Sequence, residues 1–78
     1  MKSISEKEIA RQLGKRIVEM RRLNKMSQAD LSYEAEIDLS TLSRLERGIQ
    51  NITLSVLCKI SSALKTSIKD LFDFSEKK

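Results

Sequence analysis

Seventy-eight residues are about half the usual length prior for one domain, which leaves no room for a separate catalytic or sensor module. A chain this short cannot build a deep core, and one cysteine cannot form an internal disulfide, so efficient helix packing or a partner subunit must supply stability. Fifteen Lys and Arg against eleven Asp and Glu leave a net charge of +4, which favours an anionic partner such as nucleic acid or an acidic surface.

With no histidine and only Cys58, the chain lacks an imidazole base, a zinc cluster and a Cys/His nucleophile pair, so no enzyme activity, metal or cofactor is expected. No apolar run approaches membrane-span length, and Met1 to Ser5 is too polar for a signal peptide. The expectation is a soluble, cytoplasmic chain. The lack of proline, the two glycines and the three aromatics argue against a sandwich or barrel, and the Leu, Ile, Lys, Glu and Ala content suits helices. An all-α class follows, with a single domain over residues 1–78, a core of about 6–73 and a frayed tail at 75–78.

Ala10, Gly14, Ile17 and Arg21 recur at helical spacing beside Leu13 and Met20, predicting a first helix from about Glu6 to Asn24 with Ser5 as its cap. Gly14 inside it costs about 1 kcal/mol relative to alanine, which points to another backbone close by. Ser27 caps a second helix over Gln28 to Ala35, with Asp30 as the capping-box acid and Leu31 and Ala35 facing inward. Glu36-Ile37-Asp38 breaks the pattern, and Asp38 is expected to cap a third helix from Leu39 to Arg47 that Gly48 stops. Thr53 caps a fourth helix with Leu54, Leu57, Ile60 and Leu64 as one apolar stripe and Cys58 partly buried. Ser67 opens a short fifth helix carrying Ile68, Leu71 and Phe72.

The third helix carries the chemistry. Leu39, Leu42 and Leu45 mark its buried side, while Ser40, Ser43, Arg44 and Arg47 fall on the opposite side with no acid among them. Short hydroxyl side chains allow close approach to a surface, and arginine donates bidentately to guanine in the major groove. From those four residues alone, a merely solvated helix accounts for the face equally well. Two short capped helices joined by a three-residue break, preceded by a long helix and followed by glycine, form a helix-turn-helix layout. That arrangement favours double-stranded DNA as the partner.

Over roughly Leu13 to Phe72 the sequence resembles the phage repressor and Cro-like (Xre-type) helix-turn-helix regulators. The resemblance is carried by Ile17-Val18-Glu19-Met20-Arg21, by Met26-Ser27-Gln28-Ala29-Asp30-Leu31, and by Ser40-Thr41-Leu42-Ser43-Arg44-Leu45-Glu46-Arg47-Gly48. Ile52-Thr53-Leu54, Leu57, Ile60, Ala63-Leu64 and Ser67-Ile68-Lys69-Asp70-Leu71-Phe72 extend it to the last two helices. It implies a five-helix repressor-like fold. It further implies base readout by Leu39, Ser40, Thr41 and Arg44, and contacts to the DNA backbone from Ser27, Gln28, Ser43, Arg47, Gln50 and Asn51.

Gln28 matches a position that both contacts a phosphate and braces the recognition helix. Arg21 and Glu46 match a pair that ties the first helix to that helix. Arg21 lies about 40° from Ile17 on a wheel of about 3.6 residues per turn, beside the apolar stripe, where an arginine needs a partner. Lys25 and Glu36 stand where the family commonly has glycine, and a left-handed backbone at either place would cost of order 1 kcal/mol. Ser32 replaces a customary alanine and is tolerable if its hydroxyl bonds back to the helix. Leu39 replaces a polar base-contacting residue. It can either touch a thymine methyl or pack inward beside Leu42.

Tyr33, Glu34, Glu36 and Asp38 are expected to form a solvated edge, and Arg16, Arg22 and Lys25 to reach toward the DNA backbone. One recognition helix spans few base pairs, so the expectation is a homodimer on a near-palindromic operator, with Ile68, Leu71, Phe72 and Phe74 as its seam. Ordinary core packing is the alternative for Leu71 and Phe72. A general transcriptional regulator comes first among the roles, with a restriction-modification controller or an antitoxin-type regulator as alternatives. A protein-interaction module that has lost DNA binding is the competing class. No small-molecule ligand and no membrane partner are expected.

Overall fold

The computed structural model describes residues 5–49 and 51–74; the expected fraying at 75–78 and the loop position of Gln50 lie outside the described residues. Among these, the chain forms α1 (Glu6–Leu23), α2 (Gln28–Ala35), α3 (Leu39–Glu46), α4 (Leu54–Ala63) and α5 (Ile68–Leu71), and no strand. The all-α class and the five-helix order therefore stand. No helix among the described residues is long and apolar enough to cross a membrane.

Hydroxyl caps set the helix starts. Ser5, Ser27, Thr53 and Ser67 each accept the backbone N–H three residues on, from Glu8, Asp30, Val56 and Asp70. The Ser27 cap is reciprocal, since the Ser27 N–H donates to Asp30 Oδ2 at 2.9 Å; two of the donors left over at a helix start are thereby satisfied. Asp38 departs from expectation. It holds the N-cap position of α3 with extended backbone, yet its side chain makes no capping bond. The residue is exposed, so its carboxylate is open to solvent instead.

The helix ends repeat one geometry. At the ends of α1, α2, α3 and α4 the N–H groups of Met26, Ile37, Ile49 and Thr66 reach back to Arg21, Ser32, Arg44 and Ser61 carbonyls. Each closure needs a left-handed residue just before the last donor. Only α3 uses glycine there, Gly48 at φ 74°; Lys25 (57°), Glu36 (57°) and Lys65 (56°) do so with side chains in place. The departures at Lys25 and Glu36 thus carry the expected backbone strain, and Lys65 adds a third case that sequence reasoning missed.

Leu13, Ile17, Leu31, Ala35, Leu42, Leu45, Leu57, Ile60, Leu64 and Leu71 form the core. Gly14 lets α1 cross the end of α3: a Cβ there would lie 2.5 Å from the Leu45 carbonyl oxygen and 2.6 Å from that of Glu46. Ser32 is buried and donates its hydroxyl to the Ala29 carbonyl at 3.0 Å, the back-bond that makes it tolerable.

Two expectations for α4 are corrected. Leu54 is 73% exposed, because helical side chains lean toward the N-terminus and the first residue therefore overhangs the helix start. Cys58 is exposed. It lies about 160° around the axis from Ile60, on the side away from the core.

Candidate nucleic-acid interface

The two faces of α3 separate cleanly. Leu42 and Leu45 are buried, whereas Ser40, Arg44 and Arg47 are exposed and Thr41 and Ser43 half-buried. Leu39 is 49% exposed and stands outside the core, so the inward-packing alternative is not the one adopted. Its i+3 spacing to Leu42 suggested burial, but as the first residue of α3 it overhangs the helix start in the same way as Leu54. Leu39, Ser40 and Arg44 thus share one exposed surface, with Thr41 at its margin. Arg47 also donates its Nε to the Ser43 carbonyl at 3.4 Å, within its own helix.

Behind this surface lies a polar brace. Glu46, with a side chain only 5% exposed, accepts from Arg21 Nε at 2.7 Å and Arg21 Nη2 at 3.0 Å. Its Oε1 accepts a third bond, from Gln28 Nε2 at 2.8 Å. The remaining Arg21 nitrogen, Nη1, donates to the Met26 carbonyl at 3.0 Å. One carboxylate therefore joins the end of α3 to α1 and to the first turn of α2, and one guanidinium also secures the turn between α1 and α2. Such planar two-point pairing fixes direction as well as distance. Among the described residues, no buried side-chain nitrogen or oxygen lacks a hydrogen-bond partner.

Ser27 and Gln28 sit at the start of α2, where helix N–H donors and the positive end of the dipole favour an anion. Ser27 is exposed and Gln28 half-buried, its amide already engaged with Glu46. Asn51 is exposed in the loop after Gly48, while Gln50 beside it lies outside the described residues. Tyr33, at 82% exposure, stands with the exposed Glu34, Glu36 and Asp38 on the expected solvated edge.

Several basic residues of α1 are committed elsewhere. Arg11 pairs with Glu8, Nη2 to Oε2 at 2.6 Å. That bond, followed by one from the Gln12 amide, holds the Glu8 carboxyl below the usual range. Arg16 is turned toward α5 instead. Its side chain is 10% exposed, donating from Nε to the Asp70 carbonyl of α5 at 2.9 Å and from Nη1 to Glu19 Oε1 at 2.9 Å. The signal was available: Arg16 lies about 40° from Met20 on the wheel, flanking the apolar stripe as Arg21 does on its other edge.

The expected seam is also revised in part. Leu71 is fully buried within the single chain and offers nothing to a second copy; it is the only core leucine that the one-turn α5 can supply. Ile68 and Phe72 remain 36% and 37% exposed, and the Phe72 and Phe74 rings meet at 5.9 Å between centroids. Phe72 also edges a hollow of about 250 Å³, whose apolar walls are Ile9, Ala10, Leu13 and Ile52.

A helix held from behind, with short polar and arginine side chains turned outward, defines the class of domain that lays a recognition helix in the DNA major groove. The sequence profile described as helix-turn-helix matches residues 17–71, and the chain belongs to that family. It is 42% identical over 50 residues to the control protein C.BamHI of Bacillus amyloliquefaciens, a match covering 64% of this chain and 62% of that protein. The fold is similar to that of the restriction-modification controller protein C.AhdI from Aeromonas hydrophila, with a TM-score of 0.78 and 29% identity over 80% of this chain and 94% of the other. It is likewise similar to the wild-type restriction-modification controller protein C.Esp1396I, with a TM-score of 0.77 and 27% identity over 85% of each chain.

Proposed function

We propose that the protein is a sequence-specific DNA-binding transcriptional regulator that acts as a homodimer on a near-palindromic operator. The observation that carries this reading is the braced third helix: Glu46 clamps its end while Ser40 and Arg44 face outward. Arg44 is assigned the main base contact, a bidentate bond to guanine O6 and N7, with Ser40 and Thr41 beside it and Leu39 against a thymine methyl. Ser27, Gln28, Ser43, Arg47, Gln50 and Asn51 are assigned to the DNA backbone. Ile68, Phe72 and Phe74 form the seam, and two copies place their recognition helices about 34 Å apart, one turn of DNA.

The 42% identity to a control protein favours a more specific form of this role, the control of a restriction-modification operon. The chain acts by binding rather than catalysis, as one helix-turn-helix domain in the cytoplasm.

The test is a salt-dependent gel shift against the DNA upstream of the protein's own gene, with scrambled DNA as control. Specific retention that weakens with salt supports the proposal, each phosphate contact contributing about 0.9 to the logarithmic slope. Arg44→Ala should cost about 1–3 kcal/mol and relax one operator position. Equal weakening on all sequences would make Arg44 a backbone ligand instead. Salt-insensitive absence of binding would leave the interaction module as the better reading.

A further inference from the structure

We propose that Arg16 is a positioning residue: by pinning α5 to α1 it fixes the angle between the dimer seam and the recognition helix, and so sets the half-site spacing the protein accepts. This rests on the homodimer reading above. The starting point is the geometry of α5. It is a single turn of four residues whose buried side chain is Leu71, and a helix so short has no rigidity of its own. Past the helix end the half-buried Phe74 also packs against the core, but within the turn itself one buried anchor permits rotation about it. The bond from Arg16 Nε to the Asp70 carbonyl at 2.9 Å is a second anchor, next in sequence to the first. Two attachment points fix the direction in which Ile68 and Phe72 are presented.

α1 carries this constraint onward. Arg16 and Arg21 lie on opposite edges of its apolar stripe, about 140° apart around the axis. Arg16 holds α5, and Arg21 holds α3 through Glu46. On the Arg21 side, Gly14 brings the α1 backbone against the Leu45 and Glu46 carbonyls. The helix is therefore a strut with the seam on one side and the reading surface on the other. The molecule is 28 Å across its middle dimension. Over a lever of about 20 Å, a tilt of about 10° moves the recognition helix about 3.5 Å, the rise of one base pair. A modest loosening of α5 is thus enough to blur register on DNA.

Glu19 supplies a control. It pairs with the same guanidinium, but its side chain is 53% exposed and belongs to α1 itself, so its loss leaves the link to α5 intact.

The experiment selects operators from a pool of random duplexes about 30 base pairs long, using wild type, Arg16→Met, Arg16→Lys and Glu19→Ala. Methionine keeps an apolar stem against α1 without a donor; lysine keeps one donor group in place of the fork. Wild type should enrich paired half-sites, with one spacing outnumbering its neighbours by about tenfold or more. Arg16→Met should enrich the same half-site sequence with that preference reduced to about threefold or less, Arg16→Lys should fall between, and Glu19→Ala should match wild type. A merely structural role would weaken all spacings alike and leave the preference unchanged, which overturns the proposal. If Arg16→Met does not fold, Arg16→Lys decides: an intermediate preference supports the proposal and a wild-type preference overturns it. Enrichment of unpaired half-sites by the wild type overturns the homodimer reading itself.

Discussion

Replacing Glu46 with alanine removes the acceptor of three hydrogen bonds, two from Arg21 and one from Gln28. The Arg21 side chain, 12% exposed, is left with the Met26 carbonyl as its partner. Removing one member of a buried ion pair costs about 3–5 kcal/mol, because the remaining charge stays desolvated. Arg21 retains some access to water, which places the cost near the lower end, at about 3 kcal/mol. A chain of this size has about 4–12 kcal/mol in total. At about 4–8 °C per kcal/mol for a small domain, the melting temperature should fall by about 12–24 °C. The assay is thermal and urea unfolding of Glu46→Ala, Arg21→Ala and the double variant. The double variant should be no less stable than Glu46→Ala by more than about 1 kcal/mol, since the pair is lost once and a coupling of about 2 kcal/mol separates it from additivity. Additive losses, or a Glu46→Ala cost below about 1 kcal/mol, would refute the brace as a buried coupled unit.

Gly14→Ala should destabilise by about 2 kcal/mol in urea, because an overpacking penalty near the upper end of about 1–3 kcal/mol falls on backbone carbonyls that cannot swing aside, against a helix-propensity gain of about 1 kcal/mol. Stability equal to wild type would mean that α1 and α3 cross less closely. At Lys25, Glu36 and Lys65, glycine relieves a left-handed strain of about 1–2 kcal/mol at an entropic cost of about 0.5–1 kcal/mol, so each substitution should raise stability by about 0.5 kcal/mol. A loss at all three would argue against those backbone angles. Asp30 is held below the usual aspartate range by its bonds from the Ser27 backbone and then the Ser27 hydroxyl. A folded value below the unfolded one gives stability that is present above about pH 3.9 and is lost as pH falls through the folded value. Asp30→Asn should accordingly flatten the urea midpoint below about pH 4, and an unchanged acid limb would count against the capping box.

Much of the fold was legible because its punctuation is chemical. Ser5, Ser27, Thr53 and Ser67 accept N–H groups at the helix starts, and that preference is a property of the residue itself. Gly14 was legible for a similar reason, being a glycine with no local cause. Leu54 was not, because periodicity gives the direction around a helix axis but not where the neighbouring elements end; Cys58, about 160° from Ile60, was within reach of that same periodicity. Asp38 was misread because sequence shows a carboxylate at a cap position without showing whether it turns to the helix start or to solvent. Lys65 was missed because a lysine carries no sign of left-handed backbone. In the candidate site, Arg21 and Arg16 flank the same stripe, yet only Arg21 had an acidic partner that points to another helix; the Glu19 that pairs with Arg16 belongs to α1 itself. The partner of Arg16 on another element is a main-chain carbonyl 54 residues away, and main-chain groups leave no mark in a sequence.

The same contrast changes what the positive charge means. Residues 11 to 25 carry six basic groups and one acid, the pattern of a surface that grips an anion. In the structure Arg11, Arg16 and Arg21 are each paired with a carboxylate, and the last two are largely withdrawn from solvent. Arg11 is paired only within its own exposed helix face, so two of the six arginines in the chain, Arg16 and Arg21, hold the scaffold. Arg44 and Arg47 lie on the outer side of the helix that this scaffold fixes. An arginine on an unbraced helix would be free to chase any phosphate, whereas one at a fixed angle can demand a particular base edge. On the proposed reading, the charge that counts for specificity is small, and it depends for its direction on the charge of Arg21 that is spent inside the fold.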